Sequence, residues 1–330
     1  MLRDMMPTFE LLQPTKLADA LSLLDSRGKE VWKMSGGNDS LDWFKDRIKR
    51  PKAVMDLGGI AELKGIRETA DGVEIGALTT LTEISNSPVI KSKFKLLADA
   101  ALHVASPQIR NSGTIGGNVS QDARCWYYRS GLDCYRAGGT TCFSDTPAGQ
   151  NREHAIFDAS RCVAVSPSDT APALVVLEAS MVLKSAKGER VVPAEKFFIG
   201  PATDITRMTV TKPEELVVAI RIPNKWAGSK FYFEKVADRN TWDFPLVNVA
   251  SALKVENGTI SAARVACGGV SCTPRFMAVI EDVVKGGKQD DETGSLAGKT
   301  ASHGARPLNY NHYKIPLMEN LVKRAIRDAV

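Results

Sequence analysis

Asn111-Ser112-Gly113-Thr114-Ile115-Gly116-Gly117-Asn118 opens the stretch that decides the reading, and Ser166-Pro167-Ser168-Asp169 closes it. Between them lie Cys125, Cys134, Cys142 and Cys162, four of the chain's six cysteines. From Cys125 to Cys142 the chain is dense in Gly, Tyr, Arg and Thr and shows neither helical nor strand periodicity. So long an aperiodic segment is uncommon inside a compact domain, and something must hold it. The cysteines are the candidates.

Their spacing is Cys125-x8-Cys134-x7-Cys142-x19-Cys162. Zinc sites usually show two CxxC-like pairs, which are absent. Iron–sulfur clusters accept wider spacings, because four thiolates converge on a cube of iron and sulfide rather than on one ion. Unrelated free thiols are the competing reading. Gly131, Gly138 and Gly139 favour ligation, since they let the loop fold tightly. Arg124, Arg129 and Arg136 either offset cluster charge or are solvated, and His154 is either a neighbour of such a cluster or a loop histidine. Cys267 and Cys272 lack two further partners and read as buried structural thiols.

A second glycine pair lies upstream. Val31–Met34 reads as a strand running into Ser35-Gly36-Gly37-Asn38-Asp39-Ser40, with a helix expected from Leu41 to Lys49. Backbone N–H groups turned inward at such a loop make an anion cradle, although a plain turn with an Asp or Ser N-cap accounts for it equally well. Two glycine pairs without βαβ spacing argue against a Rossmann fold. They suit a cofactor whose diphosphate is gripped from two loops.

The chain has 330 residues, 43% hydrophobic and 25% charged, enough core for two or three domains. The net charge of +5 is read as scattered over a solvated surface rather than as a nucleic-acid footprint. No apolar run reaches transmembrane length, and Met1–Pro7 lacks the apolar core of a signal peptide. A cytoplasmic protein is expected, with periplasmic residence open through folded export beside a signal-bearing partner. Cysteines in such a setting are ligands or free thiols rather than disulfides.

Elsewhere, a short strand and a helix are expected over 8–30, a strand at Ala53–Leu57, and a hairpin at Ile66–Ile75 turning on Asp71-Gly72. Thr80-Leu81-Thr82-Glu83 reads as a capping box, and Lys95–Val104 and Ala171–Ala179 as helices. Strands follow at Met181–Leu183, Arg190–Val192, Glu215–Ile222 and Phe231–Lys235. A hairpin turns on Asn257-Gly258, and the remainder is helical with a Gly- and Thr-rich loop at 286–304. The domain boundary is placed near Thr203–Pro213.

Taken together, these residues resemble the FAD-binding subunit of the xanthine dehydrogenase and aldehyde oxidase family of molybdenum hydroxylases, over nearly the whole chain. Ser35–Asp39 is similar to the family's first FAD loop, Ala-Gly-Gly-Thr-Asp, with Asn38 in place of Thr. Asn111–Asn118 resembles the second. Pro167-Ser168-Asp169, Phe233-Glu234-Lys235, and Gly268-Gly269-Val270 with Pro274-Arg275 resemble further family segments. The four-cysteine insertion is similar to that of bacterial aldehyde oxidoreductases and 4-hydroxybenzoyl-CoA reductase, where it holds an extra [4Fe-4S] cluster. The spacing of the last two cysteines is closer to the aldehyde oxidoreductase type.

The resemblance implies an α+β fold. A two-lobed FAD-binding domain of the vanillyl-alcohol oxidase (PCMH) type would span 1–205, with an iron–sulfur insertion at about 122–164. A C-terminal α+β domain with a small antiparallel sheet would span 213–330. It implies FAD contacts from Met34, Ser35, Gly36, Gly37, Asn38, Asp39, Ser40, Val104, Thr114, Gly116, Gly117, Asn118, Gln121, Asp169, Leu216 and Lys235. Asp169 would accept hydrogen bonds from FAD hydroxyls, and Lys235 would lie near the flavin ring. Cys125, Cys134, Cys142 and Cys162 would hold the [4Fe-4S] cluster, and no catalytic residue falls on this chain. The implied partners are a small subunit with two [2Fe-2S] clusters and a large molybdopterin subunit, arranged as a heterotrimer or a dimer of heterotrimers. Electrons would leave to NAD, a quinone, a ferredoxin or oxygen. Two other readings stand beside this one: a free-standing FAD oxidase of the vanillyl-alcohol type, and a non-catalytic iron–sulfur scaffold.

Overall fold

Leu17, Ala20, Leu21 and Leu24 recur at helical spacing and are the buried face of helix Leu17–Arg27. This helix links the parallel strands β1 (Glu10–Leu12) and β2 (Val31–Met34), which flank β3 (Ala53–Asp56) in a three-stranded sheet. The computed structural model describes residues 6–330. The five residues before them, at the start of the expected first domain and of the segment read for a signal, lie outside the described residues.

A five-stranded antiparallel sheet follows. It contains β4 (Ile66–Thr69), β5 (Gly72–Gly76), β6 (Ser180–Ser185), β7 (Gly188–Pro193) and β8 (Leu216–Pro223), in the order β4-β5-β8-β6-β7. Its two faces are both buried, which makes it the divider of the first domain. Ile75, Met181 and Ile220 pack against helices Leu81–Asn86, Lys95–Leu102 and Thr170–Val176. Val182, Leu216 and Val218 pack against Leu24, Met55 and Leu63 of the parallel-sheet lobe.

Two expectations change here. Thr69 faces Gly72, so the first hairpin turns on Ala70-Asp71 and Gly72 is already in the strand. The glycine serves close approach instead, since a Cβ at Gly72 would lie 1.9 Å from the Ile222 carbonyl oxygen. A boundary at 205–213 would cut β8 from the middle of its own sheet. The chain instead leaves this sheet after Pro223 and enters the next at Lys230.

The second domain is a four-stranded antiparallel sheet, β9 (Lys230–Val236), β10 (Val247–Glu256), β11 (Thr259–Gly268) and β12 (Arg275–Phe276), in the order β12-β11-β10-β9. Asn257 and Gly258, both at positive φ (51° and 79°), turn the expected hairpin. The expected loop at 286–304 is instead largely the helix Asp291–Ala301. Asp290 caps it by accepting from the Thr293 N–H at 3.0 Å. Its glycines are packing residues: a Cβ at Gly294 or Gly298 would lie 2.7 or 2.4 Å from the Lys323 or Glu319 carbonyl of helix Lys314–Arg327.

The stretch from Ser120 to Val165 carries only two short helical turns, Trp126–Arg129 and Tyr135–Ala137. It is clamped to the second domain. Ile156 and Phe157 N–H groups donate to the Val270 carbonyl, and the Asn311 side chain donates to the His154 and Ala155 carbonyls. The fully buried Lys314 ammonium donates to the carbonyls of Glu153 (2.7 Å) and Gly269 (2.6 Å).

Candidate functional site

The two glycine loops meet. A Cβ on Gly36 would lie 2.1 Å from the Ser112 carbonyl oxygen, and one on Gly117 2.7 Å from Ser35 Oγ. Thr114 Oγ1 donates to Ser35 Oγ at 3.0 Å and accepts from the Gly117 N–H at 3.1 Å. Gly37 adopts a φ of +75°, which glycine alone takes without strain. Asn38 Nδ2 donates to Ser112 Oγ at 3.1 Å, so this residue ties one loop to the other.

Below the contact lies a cleft of about 390 Å³. Ser35, Thr114, Gly116 and Gly117 form its rim, and Val31, Leu57, Leu63, Leu78 and Leu216 its apolar bed. An apolar bed with a rim of glycines and hydroxyls fits a nucleotide carrying a diphosphate. Lys33, which the sequence reading passed over, lines the same cleft and donates to the Lys212 and Glu215 carbonyls at 3.0 and 2.8 Å. Burial pulls its ammonium down to about 8. Strand alternation was the available signal, because Val31 and Lys33 share a face of β2.

Other expected contacts stand away from this rim. Asp39 accepts from Arg129 (2.7 Å) and Trp43 (3.2 Å), and Ser40 Oγ accepts from Trp32 Nε1 at 2.9 Å. Met34 ends β2 beside Gly37 and packs toward the cysteine side. Asn118 Oδ1 accepts from Ser168 and Thr170, both at 2.6 Å, while its amide donates to Gln121 at 3.4 Å. It thus staples the second loop to the turn before helix Thr170–Val176.

Asp169 is buried and takes hydrogen bonds from Lys235 Nζ at 2.6 Å and Asn248 Nδ2 at 2.9 Å. Lys235 also donates to the His103 carbonyl at 2.9 Å. Both oxygens of Asp169 therefore already have protein partners. Burial pushes its carboxyl up while the ammonium pulls against it. Beside this pair, the Val104 carbonyl accepts from Arg110 at 2.8 Å, and the Ala105 carbonyl accepts from Trp242 N–H at 2.9 Å and Thr241 Oγ1 at 3.1 Å.

Cys125, Cys134, Cys142 and Cys162 line one small cavity, walled by Tyr127, Tyr128, Tyr135, Phe143, Arg136 and Arg161. All four are free thiols, and three are buried. Among the described residues no three His, Cys, Asp or Glu side chains stand close enough to share a single metal ion. Gly131 and Gly138 sit at positive φ, and a Cβ on Gly139 would lie 2.1 Å from the Asp133 carbonyl. His154 Nε2 is 3.3 Å from Cys125 Sγ and 2.9 Å from Ser144 Oγ. Burial, with Lys314 and Arg124 nearby, holds this imidazole down to about 4.

Of the three arginines, only Arg136 lines the cavity. It pairs with Asp122 at 2.9 Å, Arg129 pairs with Asp39, and Arg124 with Glu153 at 2.5 Å. Cys267 and Cys272 do not line this cavity, although Cys272 packs in the same apolar cluster as Cys125, Cys134 and Cys162; both are buried as expected, and burial pushes both thiols up to about 12.

A glycine-walled nucleotide cleft in a two-lobed domain, joined to a second small-sheet domain, defines a flavin-binding subunit of an oxidoreductase. The chain belongs to the family of FAD-binding domains of molybdopterin dehydrogenases, whose pattern matches residues 7–225. Residues 232–329 match the C-terminal domain of CO dehydrogenase flavoproteins. It is 30% identical to the carbon monoxide dehydrogenase medium chain of Hydrogenophaga pseudoflava over 268 residues, 81% of this chain and 76% of that one. It is 29% identical to the aldehyde oxidoreductase FAD-binding subunit of Escherichia coli, over 90% of each. A structure of the Hydrogenophaga pseudoflava carbon monoxide dehydrogenase superposes with a TM-score of 0.79 over 98% of both chains, at 28% identity.

Proposed function

We propose that this chain is the electron-transfer subunit of a three-chain molybdenum hydroxylase. In this reading it takes electrons from the [2Fe-2S] clusters of a small partner and passes them to an external acceptor, while substrate is oxidised in a large molybdopterin partner. The observation that carries it is the meeting of the two glycine loops over a cleft of nucleotide size. FAD, when bound, supplies the centre that takes an electron pair from one side and releases it to the other.

The two loops Ser35–Gly37 and Thr114–Gly117 are read to let the diphosphate approach the main chain closely, and the leucine bed to seat the adenine. Asp169 and Lys235 are read as a locked pair that fixes the turn at His103–Val104 beside the ring. The four cysteines are read as ligands of a [4Fe-4S] cluster. Four cysteines lining one cavity, walled by tyrosines and arginines, support this. Among the described residues no helix is long and apolar enough to cross a membrane, and a cytoplasmic complex, or one exported folded with a signal-bearing partner, accords with that.

The test is an anaerobic absorbance spectrum of the purified protein with flavin, iron and sulfide counts. The expected result is one FAD with about four iron and four sulfide per chain in addition to any partner clusters. Flavin without that iron would overturn the cysteine assignment alone. Purification without two partner chains would favour a free-standing oxidase.

A further inference from the structure

Val31, Lys33 and Ser35 alternate along β2 and just past its end, and all three line the cleft under the glycine loops. Val31 belongs to the apolar bed and Ser35 to the rim, so the Lys33 side chain leaves the strand where bed and rim meet. From there it crosses to the segment before β8 and donates to the Lys212 and Glu215 carbonyls at 3.0 and 2.8 Å. An ammonium carries three N–H donors, and these bonds use two of them. Among the described residues the third has no partner, and Lys33 forms no ion pair.

The Glu215 carboxylate is already taken. Arg190 of β7 donates to its two oxygens at 2.7 and 2.8 Å, and the Lys212 N–H donates to one of them at 2.8 Å. The cleft lining holds four cations, Lys29, Lys33, Arg207 and Lys212, against this one carboxylate. Arg207 is matched by Asp204 at 2.7 Å. A half-buried cation bonded only to neutral carbonyls is costly. Burial accordingly pulls Lys33 down to about 8, with Glu215 and Glu214 pulling the other way. An anion brought by a ligand would offset that cost through a charge-assisted bond.

We propose that Lys33 recognises the nucleotide half of the cofactor, donating its free N–H to the adenosine-side phosphate of FAD where the diphosphate passes from the glycine loops to the leucine bed. This role rests on the reading of the cleft as the FAD site. It makes one side chain responsible for holding the adenosine diphosphate moiety, and it ties cofactor retention to pH. A bound phosphate favours the ammonium, so the value for the filled cleft lies above that for the empty one. Affinity is therefore full below about pH 8 and falls as pH rises past it. The other charged groups around Lys33 are Lys29 before β2, Arg207, Lys212, Glu214 and Glu215 before β8, and Arg190 behind Glu215.

The experiment strips flavin from the purified complex and follows FAD rebinding by the quenching of its fluorescence, with ADP as competitor. The wild-type affinity for FAD is expected to fall roughly five- to tenfold between pH 7 and pH 9. Lys33→Met should bind both FAD and ADP about 10- to 150-fold more weakly at pH 7, and its affinity should not change over that range. Lys33→Arg should restore most of the affinity at pH 7 and also lose the fall, because a guanidinium stays charged throughout. Thermal unfolding of the stripped variants shows that they are folded; if Lys33→Met is not, Lys33→Arg decides alone. Wild-type FAD affinity in Lys33→Met would overturn the assignment. So would a wild-type fall with pH in Lys33→Arg, or a Lys33→Met variant that loses FAD but not ADP. Failure of ADP to compete with FAD in the wild-type complex would instead overturn the reading of the cleft itself, before any variant is made.

Discussion

The cleft under the glycine loops and the cysteine cavity are built by opposite means. At the cleft the fit is set by main chain against main chain, with Gly36 pressed to the Ser112 carbonyl. It stands on a sheet buried on both faces. At the cysteines the chain has almost no regular structure. Its shape is held by side chains such as the Arg136–Asp122 and Arg152–Asp238 ion pairs and by Lys314. Backbone sterics anchored in a core exist before any ligand arrives. A side-chain cage around four thiols depends far more on what fills it.

The sharpest way to break this contrast is to remove one of the four thiols proposed as cluster ligands. In Cys162→Ser the extra iron is expected to drop from about four per chain to near zero, while flavin content stays at the wild-type level. Limited proteolysis should then cut first between Cys125 and Cys162. Simultaneous loss of flavin would mean that the two regions are a single cooperative unit.

Gly36→Ala probes the other side. Forcing a methyl group against the Ser112 carbonyl is expected to cost about 1–3 kcal/mol, or roughly 5- to 150-fold in FAD affinity. Flavin fluorescence titration reads this, and the iron count should not change. An alanine variant with wild-type affinity would show that the loops are free to part.

The smallest effect concerns the pin between the insertion and the second domain. Burial lowers Lys314 to about 7 in the folded chain, against 10.5 ordinarily. Between those values the unfolded chain binds more protons, so this group makes stability rise with pH. Below pH 7 the penalty for burying the ammonium is present in full. Lys314→Met is therefore expected to flatten the rise in urea midpoint between pH 7 and pH 9. An unchanged slope would assign that pH dependence to other groups.

What the sequence made legible follows the same divide. The glycine loops, the Thr80–Glu83 capping box and the Asn257-Gly258 turn are local, and each stands where its residues imply. Helix Asp291–Ala301 was hidden because Gly294 and Gly298 look like loop residues until a second helix is laid against them. The Asp169–Lys235 pair joins residues far apart in the chain, and no local pattern announces it.

The central place of β8 has a consequence for synthesis on the ribosome. β5 is complete by Gly76, yet the strand that joins it to β6 does not begin until Leu216, and the whole cysteine insertion is translated in between. Leu216 and Lys212 also line the cleft proposed for FAD. A nascent chain can therefore expose finished glycine loops while the floor beneath them is still missing. Cofactor capture must wait for the last third of translation, and the cysteines emerge into solvent well before the second domain that clamps them has been made.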